Sequence, residues 1–214
     1  MPRLTAIAAV LVTLCCALGC ANQPPEREAP ATPAIALPAP LRLRVLSTET
    51  TPLASTLKPD DLQLRLPREA AVDTPAGRFV ARVEATKTSV ESTASRIVLR
   101  AHSRDSGTVV HERVIKEDAV NVFGLAWAPD GSSLAFCEGA LVSVAGWSGD
   151  PQILHAGPGG PYPGACTDLS WSADRRQLRF IQVEHATDPS LANPARVTLE
   201  LGLESSPAKN GTQP

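Results

Sequence analysis

Apolar and polar residues alternate along most of the chain between residues 41 and 203. Alternation with a period of two places successive side chains on opposite faces of a β-strand. Gly, Pro, Asp and Ser interrupt the alternating segments at short intervals, and no long segment has helical spacing. The pattern predicts an all-β fold of about twelve strands. The predicted strands are LRLRVLS from Leu41, LQLRL from Leu62, RFVARVE, RIVLRA, TVVHERVI, VFGLAWA, SLAFCE, ALVSVAGW, PQILHAG, TDLSWSA, QLRFIQVE and ARVTLELGL.

A turn motif lies in the middle of this pattern, in the segment LAWAPDGSSLAF at residues 125–136. Pro129 fixes φ near about −65°, Asp130 suits the next turn position, and Gly131 can adopt a positive φ. The segment therefore predicts a β-hairpin. Trp127 ends the first strand of this hairpin and is placed to pack against a neighbouring layer.

The same motif recurs 44 residues later, without a gap, as LSWSADRRQLRF at residues 169–180. After the turn of the first copy, alternation places Leu134 and Phe136 on one face of the strand and Ala135 on the other. The matched pairs are Trp127 and Trp171, Asp130 and Asp174, Leu134 and Leu178, and Phe136 and Phe180.

A weaker copy, VDTPAGRFVARV at residues 72–83, lies 54 residues upstream of the central one. The polar stretch at 85–96 is expected to absorb the additional length as a loop. In the last copy, Arg175 stands where the turn favours glycine. A bulky residue in the left-handed conformation costs on the order of 1 kcal/mol, so this turn is expected to be of another type. The matches of the weaker copy are Pro75 with Pro129, Gly77 with Gly131, and Ala81 with Ala135.

A repeat of about 40–45 residues with four strands is typical of a β-propeller blade. The residues AWAPDGSSLAF resemble the TolB-type, WD-like propeller repeat of bacterial periplasmic proteins, and the resemblance covers residues 70–185. It implies an incomplete or short array of four-stranded blades, within a domain at 42–204. It also implies protein binding or a scaffolding role in the envelope.

The number of strands leaves the closure of this array open. About twelve strands make about three blades, whereas propellers usually need four or more. The chain can form an open arc, whose bare apolar faces would favour a partner. It can form a homodimer with six blades, which is the TolB-type number. It can also collapse into one irregular sandwich or barrel.

The N-terminus predicts an exported protein. A positive segment at 1–3 precedes an apolar run at 4–18, which is shorter than the roughly 20 residues that span a bilayer. The residues ALGC that end at Cys20 resemble the lipobox of bacterial lipoproteins, which implies cleavage before Cys20 and a diacylglycerol on its thiol. The family prefers Leu where Ala17 stands, and an ordinary secretory signal is the alternative.

These features divide the chain into four parts. By resemblance, Ala21 after the lipidated cysteine implies the outer membrane, because retention at the inner membrane uses Asp there. Prolines stiffen the segment before the domain, which is expected to be an extended tether. The parts are a signal peptide at 1–19, a Pro/Ala-rich tether at 20–41, the β-domain at 42–204 and a disordered tail at 205–214.

The remaining cysteines predict a disulfide. Cys137 and Cys166 are the cysteines that follow Cys20 in the chain. Exported proteins form disulfides, and these two positions fall in neighbouring blades. A bridge between them would contribute about 3–4 kcal/mol in the chain-entropy model. Two separate buried thiols are the alternative.

The composition offers little for catalysis or cofactor binding. A net charge of −2 gives no long-range attraction to nucleic acid. None of the four histidines stands at metal-ligand spacing from another His or Cys, so neither a metal nor a cofactor is expected. The sequence GPGG lacks the Lys of a phosphate loop, and DGSS lacks the flanks of a nucleophile elbow. No catalytic residue is assigned.

The sequence therefore favours a membrane-anchored lipoprotein that faces the periplasm and acts as a non-enzymatic protein-interaction or envelope scaffold module. Its partners would be the membrane, through the lipid, and an unidentified envelope protein. The alternative is a sugar- or peptide-binding protein, or a remnant hydrolase, that uses the loop at 155–166. A purely structural lipoprotein is a third interpretation. A cavity with converging polar groups would favour ligand binding.

Overall fold

The computed structural model describes residues 35–38, 42–53, 68–86, 94–157, 164–184 and 193–203. These residues form twelve β-strands and no helix. The strands are β1 (Leu43–Pro52), β2 (Glu69–Thr74), β3 (Gly77–Thr86), β4 (Ala94–His102), β5 (Val109–Ala119), β6 (Val122–Trp127), β7 (Ser133–Glu138), β8 (Leu141–Gly146), β9 (Gln152–Ala156), β10 (Ala165–Trp171), β11 (Gln177–Glu184) and β12 (Asn193–Leu203).

Within the described residues the strands form three antiparallel sheets of four strands each, which we call blades. Blade 1 has the order β2-β3-β4-β5, blade 2 the order β6-β7-β8-β9, and blade 3 the order β10-β11-β12-β1. The predicted all-β array of four-stranded blades is therefore confirmed. The sheets stay separate, so the alternative of a single sandwich or barrel is wrong.

Blade 3 takes its outermost strand from the N-terminal end of the domain. β1 pairs with β12 from Leu43 opposite Leu203 to Pro52 opposite Ala195. Gln152 of β9 also holds this strand, because the backbone N–H of Leu43 donates to its Oε1 at 3.0 Å. The first and last described strands of the domain are thus joined in one sheet.

Blade 2 lies between the other two blades and is buried on both faces. In β7, Leu134 and Phe136 belong to an apolar cluster shared with blade 1, whereas Ala135 and Cys137 belong to one shared with blade 3. Each of these side chains is at most 1% exposed. The alternation predicted after the central turn is therefore the one that separates the two interfaces.

The segment just before the domain contributes to the first interface. Ile35 and Leu37 are partly buried and pack against the cluster between blades 1 and 2. Both residues belong to the segment predicted to be a tether. Cys20, the signal segment and the tail at 205–214 lie outside the described residues.

The strand predictions agree with the structure in most places. The predicted segments that fall on described residues lie on strands, whereas LQLRL lies outside them. β2 was not among the predicted strands, because its sequence EAAVDT has small and acidic residues where large apolar ones would signal a strand. The loop expected at 85–96 is wrong at both ends, since β3 continues to Thr86 and β4 begins at Ala94.

The face of blade 1 that points away from blade 2 is covered by paired charges. Glu84 on β3 pairs with Arg96 at 2.9 Å and with Arg100 at 2.6 Å, both on β4. Arg100 also pairs with Glu112 on β5 at 2.6 Å. Val98 lies on the same face and is fully buried, as expected where long arginine stems cover apolar residues. This end of the array is therefore polar.

The polar end face removes one reason to expect self-association. The homodimer was proposed because two chains give six blades, and bare apolar faces of an open arc were expected to favour a partner. On blade 1 the outward face carries the ion pairs of Glu84 and Arg100 instead. A polar outer face is typical of terminal units in repeat arrays. The homodimer stays a prediction, and light scattering at micromolar concentration tests it.

Glu84 makes the stability of this face dependent on pH. Hydrogen bonds from Arg100, opposed by burial and assisted by Arg96, hold the pKa of Glu84 below its ordinary value of 4.5. A carboxyl group with a lowered pKa in the folded state stabilises the fold above its ordinary pKa. This contribution is lost as the pH falls through the folded-state pKa.

We expect Glu84→Gln to lower the free energy of unfolding by about 1 kcal/mol at pH 7, because it leaves Arg96 and Arg100 without their shared partner. Urea denaturation at pH 7 and at pH 3 measures the effect. The difference from the unmodified chain should shrink as the pH falls below the ordinary value of 4.5 and through the lower folded-state pKa of Glu84. Glu49→Gln, at an exposed position of β1, is the control. An equal loss at both pH values would contradict the assignment.

Candidate functional site

A disulfide joins blades 2 and 3. Cys137 on β7 and Cys166 on β10 are bonded, with their Cα atoms 5.8 Å apart, as the sequence analysis expected. Both residues are fully buried in the second apolar cluster. The matching positions of the first interface, by the repeat spacing, are Val83 and Val122, which contribute to the first cluster. A covalent bond thus stands where the first interface has apolar side chains.

At one edge of the array, the turns after Trp127 and Trp171 repeat bond by bond at the 44-residue spacing. Each turn closes with two backbone hydrogen bonds in the same positions. The matched bonds are Ala128 N to Ser133 O (2.8 Å) with Ser172 N to Gln177 O (2.9 Å), and Gly131 N to Ala128 O (2.9 Å) with Arg175 N to Ser172 O (3.0 Å). The predicted equivalence of the two turns therefore holds at the level of single bonds.

An aspartate fixes each turn from within. Asp130 Oδ1 accepts from the backbone N–H of Ser132 at 3.1 Å, and Asp174 Oδ1 accepts from that of Arg176 at 3.1 Å. Hydrogen bonds from the Ser172 hydroxyl and from the Arg176 N–H hold the pKa of Asp174 below its ordinary value. These aspartates are turn residues, as the sequence analysis interpreted them.

Each of the two matched tryptophans donates a hydrogen bond to the blade before it. The indole N–H of Trp127 donates to the carbonyl of Ala70 on β2 at 3.2 Å. That of Trp171 donates to the carbonyl of Ala126 on β6 at 3.1 Å. The indoles therefore occupy corresponding corners, each against the first strand of the preceding blade.

Arg175 does not change the type of its turn, so that expectation is wrong. Its φ is 63°, close to the 71° of Gly131. The backbone hydrogen bonds of the turn and the Asp174 side chain impose the left-handed conformation on Arg175, in spite of the bulk of the arginine side chain. The Arg175 guanidinium also forms an ion pair with Asp130 Oδ2, which links the turn of blade 3 to that of blade 2.

Aromatic side chains fill the first interface at this edge. Phe79 lies 6.0 Å from Trp127 and 5.3 Å from Trp147, measured between ring centroids. Trp127 and Trp147 stack at 5.6 Å. The Trp147 indole N–H donates to the carbonyl of Gly131 at 2.9 Å. Such aromatic contacts add about 0.5–1.5 kcal/mol per pair beyond the area that they bury.

Smaller residues occupy the matching positions of the second interface. The 54-residue match of the two copies places Ser133 where the first interface has Phe79. Leu201 occupies the position that matches Trp147. In each blade, this residue comes directly after the one that pairs with the first residue of the blade's second strand. Those opposed pairs are Ser133 with Gly146, and Gln177 with Glu200.

A cavity of about 490 Å³ lies at this edge of the second interface. Blade 2 contributes small residues to it, and blade 3 contributes the charged turn and apolar strand ends. The lining residues are Leu43, Leu46, Ala128, Ser132, Ser133, Trp171, Asp174, Arg175, Arg176, Glu200, Leu201, Gly202 and Leu203. The cavity follows from the loss of aromatic volume at two matched positions, and it is the candidate functional site.

Two polar side chains of the cavity make no hydrogen bond among the described residues. Ser133 is 1% exposed, and no protein group hydrogen-bonds to its Oγ. Arg176 is exposed, and within the described ranges its guanidinium forms no close ion pair, although its charge attracts Asp174. Arg175 is bound to Asp130. The site thus offers one buried hydroxyl and one cationic group to a ligand.

The residues selected from the sequence and those of the cavity overlap only in part. Trp171 and Asp174 line it, and Phe180 lies in the second cluster beneath. Sequence reasoning missed Ser133, Arg176 and Leu201. The signal in the sequence was the alignment of the weaker copy with the central one, which matches Phe79 with Ser133.

The other sequence-derived candidates stay apart from the cavity. His155 lies 2.7 Å from Gln182 Oε1 through its Nε2 and packs against Phe180. Residues 158–163 of the glycine-rich loop lie outside the described residues. Among those described, no three His, Cys, Asp or Glu side chains are placed to hold a metal ion. No described segment forms a helix with the length and apolar character of a membrane span.

Neither a protein-family model nor a curated protein matches this chain.

The first interface predicts a steep cost for any side chain at Gly131. We expect Gly131→Ala to destabilise the fold by more than the roughly 1–2 kcal/mol of its left-handed backbone, because the new Cβ would lie 2.2 Å from the Phe79 ring. Gly107→Ala is the matched control, since Gly107 has a φ of 68° and open space around it. Thermal denaturation measures both. Equal losses would show that Phe79 does not constrain the turn.

The disulfide should account for much of the stability of the second interface. We expect Cys137→Ala with Cys166→Ala to lower the free energy of unfolding by about 3–4 kcal/mol, because the 29-residue link no longer restricts the unfolded chain. Equilibrium urea denaturation with and without a thiol reductant measures it. The reductant should destabilise the unmodified chain and leave the double variant unchanged. Insensitivity of both would mean that the bridge does not form.

Proposed function

We propose that this chain is a lipid-anchored envelope protein that faces the periplasm, and that its β-array acts as a non-enzymatic protein-interaction or scaffold module. The single observation that carries the proposal is the buried Cys137–Cys166 disulfide between blades 2 and 3. Structural disulfides persist in oxidising compartments such as the periplasm and are rare in the cytosol. The bridge therefore supports export independently of the N-terminal sequence.

The anchoring rests on the leader. The resemblance of ALGC to a lipobox assigns the lipid to Cys20, and the segment after it would hold the domain away from the bilayer. A multi-chain lipid anchor attaches a protein stably, at about 0.8 kcal/mol for each buried methylene. Outer-membrane attachment follows from Ala21 by the same resemblance.

The interaction role is supported by the exposed parts of the array. The end face of blade 1 is neutralised by its own ion pairs, such as Glu84 with Arg100. Apolar side chains are instead exposed at Val109, which begins β5, at Val120, which directly follows β5, and at Ile153 on the outer strand of blade 2. A rigid β scaffold that presents a few exposed apolar residues at strand ends and edges is suited to binding a protein partner.

The anchoring and the partner are tested separately in cells. Cys20→Ser should move the protein from the membrane fraction to the soluble periplasmic fraction, because the lipid is lost. In the unmodified background, a photo-crosslinking residue at Val109, Val120 or Ile153, which are 47%, 54% and 61% exposed, should capture one and the same envelope protein.

The control position is Arg82, which lies on the charged face and pairs with Glu69. We expect no adduct from a crosslinker at Arg82. Retention of Cys20→Ser in the membrane fraction would refute the lipid anchor. Failure of all three apolar positions to exceed the Arg82 control would refute the interaction role and leave the anchor unaffected.

A further inference from the structure

The buried hydroxyl of Ser133 is the first sign of a ligand at the second interface. Buried polar groups in folded proteins nearly always have a hydrogen-bond partner. Ser133 Oγ has none among the described residues, although the side chain faces blade 3 as Ala135 and Cys137 do. An alanine would fill the same position without the cost of an unsatisfied hydroxyl. The serine is therefore placed to bind a group that enters the cavity.

The charges at the mouth of the cavity specify the second contact. Arg175 is bound to Asp130, and Asp174 accepts from the Ser172 hydroxyl. Arg176 is the lining cation without an ion pair in the described part of the chain. A guanidinium of this kind binds a carboxylate through paired, charge-assisted hydrogen bonds. Arg176 thus offers a contact for an anionic group, next to the carboxylates of Asp174 and Glu200 that also line the cavity.

The remaining walls are apolar. Leu201 and Leu43 lie at the inner side, and Trp171 closes the end next to the turn. Leu46 and Leu203 are 53% and 66% exposed, although both line the cavity. Covering these two side chains would remove apolar surface from water, at about 25 cal/mol for each Å². The occupant therefore carries an apolar body beside its anionic end.

We infer that this cavity binds the carboxyl-terminal end of a short peptide whose last residue is apolar. The terminal carboxylate pairs with Arg176, the apolar side chain lies against Leu46 and Leu203, and a backbone carbonyl or N–H bonds to Ser133. Glu200, which accepts from Ser47 Oγ at 3.1 Å, keeps acceptor positions for a second peptide N–H. A volume of about 490 Å³ is within the usual range for small-ligand sites.

This site is separate from the surfaces assigned to the protein partner above, and the two proposals stand independently. The peptide cavity lies between blades 2 and 3, and none of Val109, Val120 and Ile153 lines it. The described residues of the loop at 155–166, which was the sequence-based candidate for ligand binding, do not line the cavity.

The test uses isothermal titration of the full-length chain with N-acetyl-Ala-Leu and with the same peptide ending in a carboxamide. We expect the acid to bind at least about tenfold more tightly than the amide, because only the acid carries the charge that Arg176 selects. Arg176→Gln should abolish this preference. Arg196→Gln, which removes an exposed arginine of β12 outside the cavity, should leave it unchanged.

Two further variants separate binding from folding. Ser133→Ala should weaken binding of the acid by about three- to tenfold while the melting temperature stays the same or rises, since the hydroxyl has no partner in the protein. Leu201→Trp should block binding by restoring the bulk that Trp147 provides in the first interface. Equal affinity for acid and amide, or an unchanged preference in Arg176→Gln, would overturn the inference. So would tight binding by the Leu201→Trp variant.

Discussion

The whole arrangement depends on β7 being buried on both faces. A strand exposes alternate residues to opposite sides, and in β7 both sides meet another sheet. Leu134 and Phe136 serve the interface with blade 1, while Ala135 and Cys137 serve the interface with blade 3. A shift of register by one residue would exchange the two sets and place large side chains where the interface accepts small ones. The middle blade therefore fixes the positions of both neighbours.

The end blades of the described array meet the opposite requirement, because among the described residues each packs against one other blade. On blade 1, Val80 and Val98 are buried under a face whose charges pair across β3, β4 and β5. At the other end, β1 completes blade 3 through the long ladder with β12. The ladder supplies backbone hydrogen bonds that β12 would otherwise direct to solvent. Neither the ion pairs of blade 1 nor the β1–β12 ladder of blade 3 requires the blades to close into a ring.

Local patterns predicted the parts of this structure that local physics controls. The Pro129-Asp130-Gly131 turn and the alternation after it follow from φ preferences and strand geometry, so the sequence indicated them. β2 escaped prediction because Ala70, Ala71 and Val72 give weak alternation. The turn at Arg175 was judged from the intrinsic cost of a left-handed arginine. The backbone bonds and Asp174 outweigh that cost.

Long-range partnerships could not be derived in the same way. Nothing in the sequence of β1 states that it pairs with β12, since strands of similar composition are available throughout the chain. The ion pairs of Glu84 could not be predicted without knowing the register of β3 against β4. Predicting the cavity would have required even more, because the cavity becomes visible only when equivalent positions in two interfaces are compared. Ser133 and Leu201 are unremarkable residues until they are compared with Phe79 and Trp147.

That comparison also explains why the two interfaces differ in kind. In the first, three aromatic rings fill the edge, and Val83 and Val122 stand at the positions that match the cysteines. In the second, the Cys137–Cys166 bond holds the blades together at those positions. A covalent link stabilises the interface without filling its far edge, so large side chains are not needed there to keep blades 2 and 3 in contact. The disulfide thus permits a cavity at the edge where the first interface has a packed aromatic core.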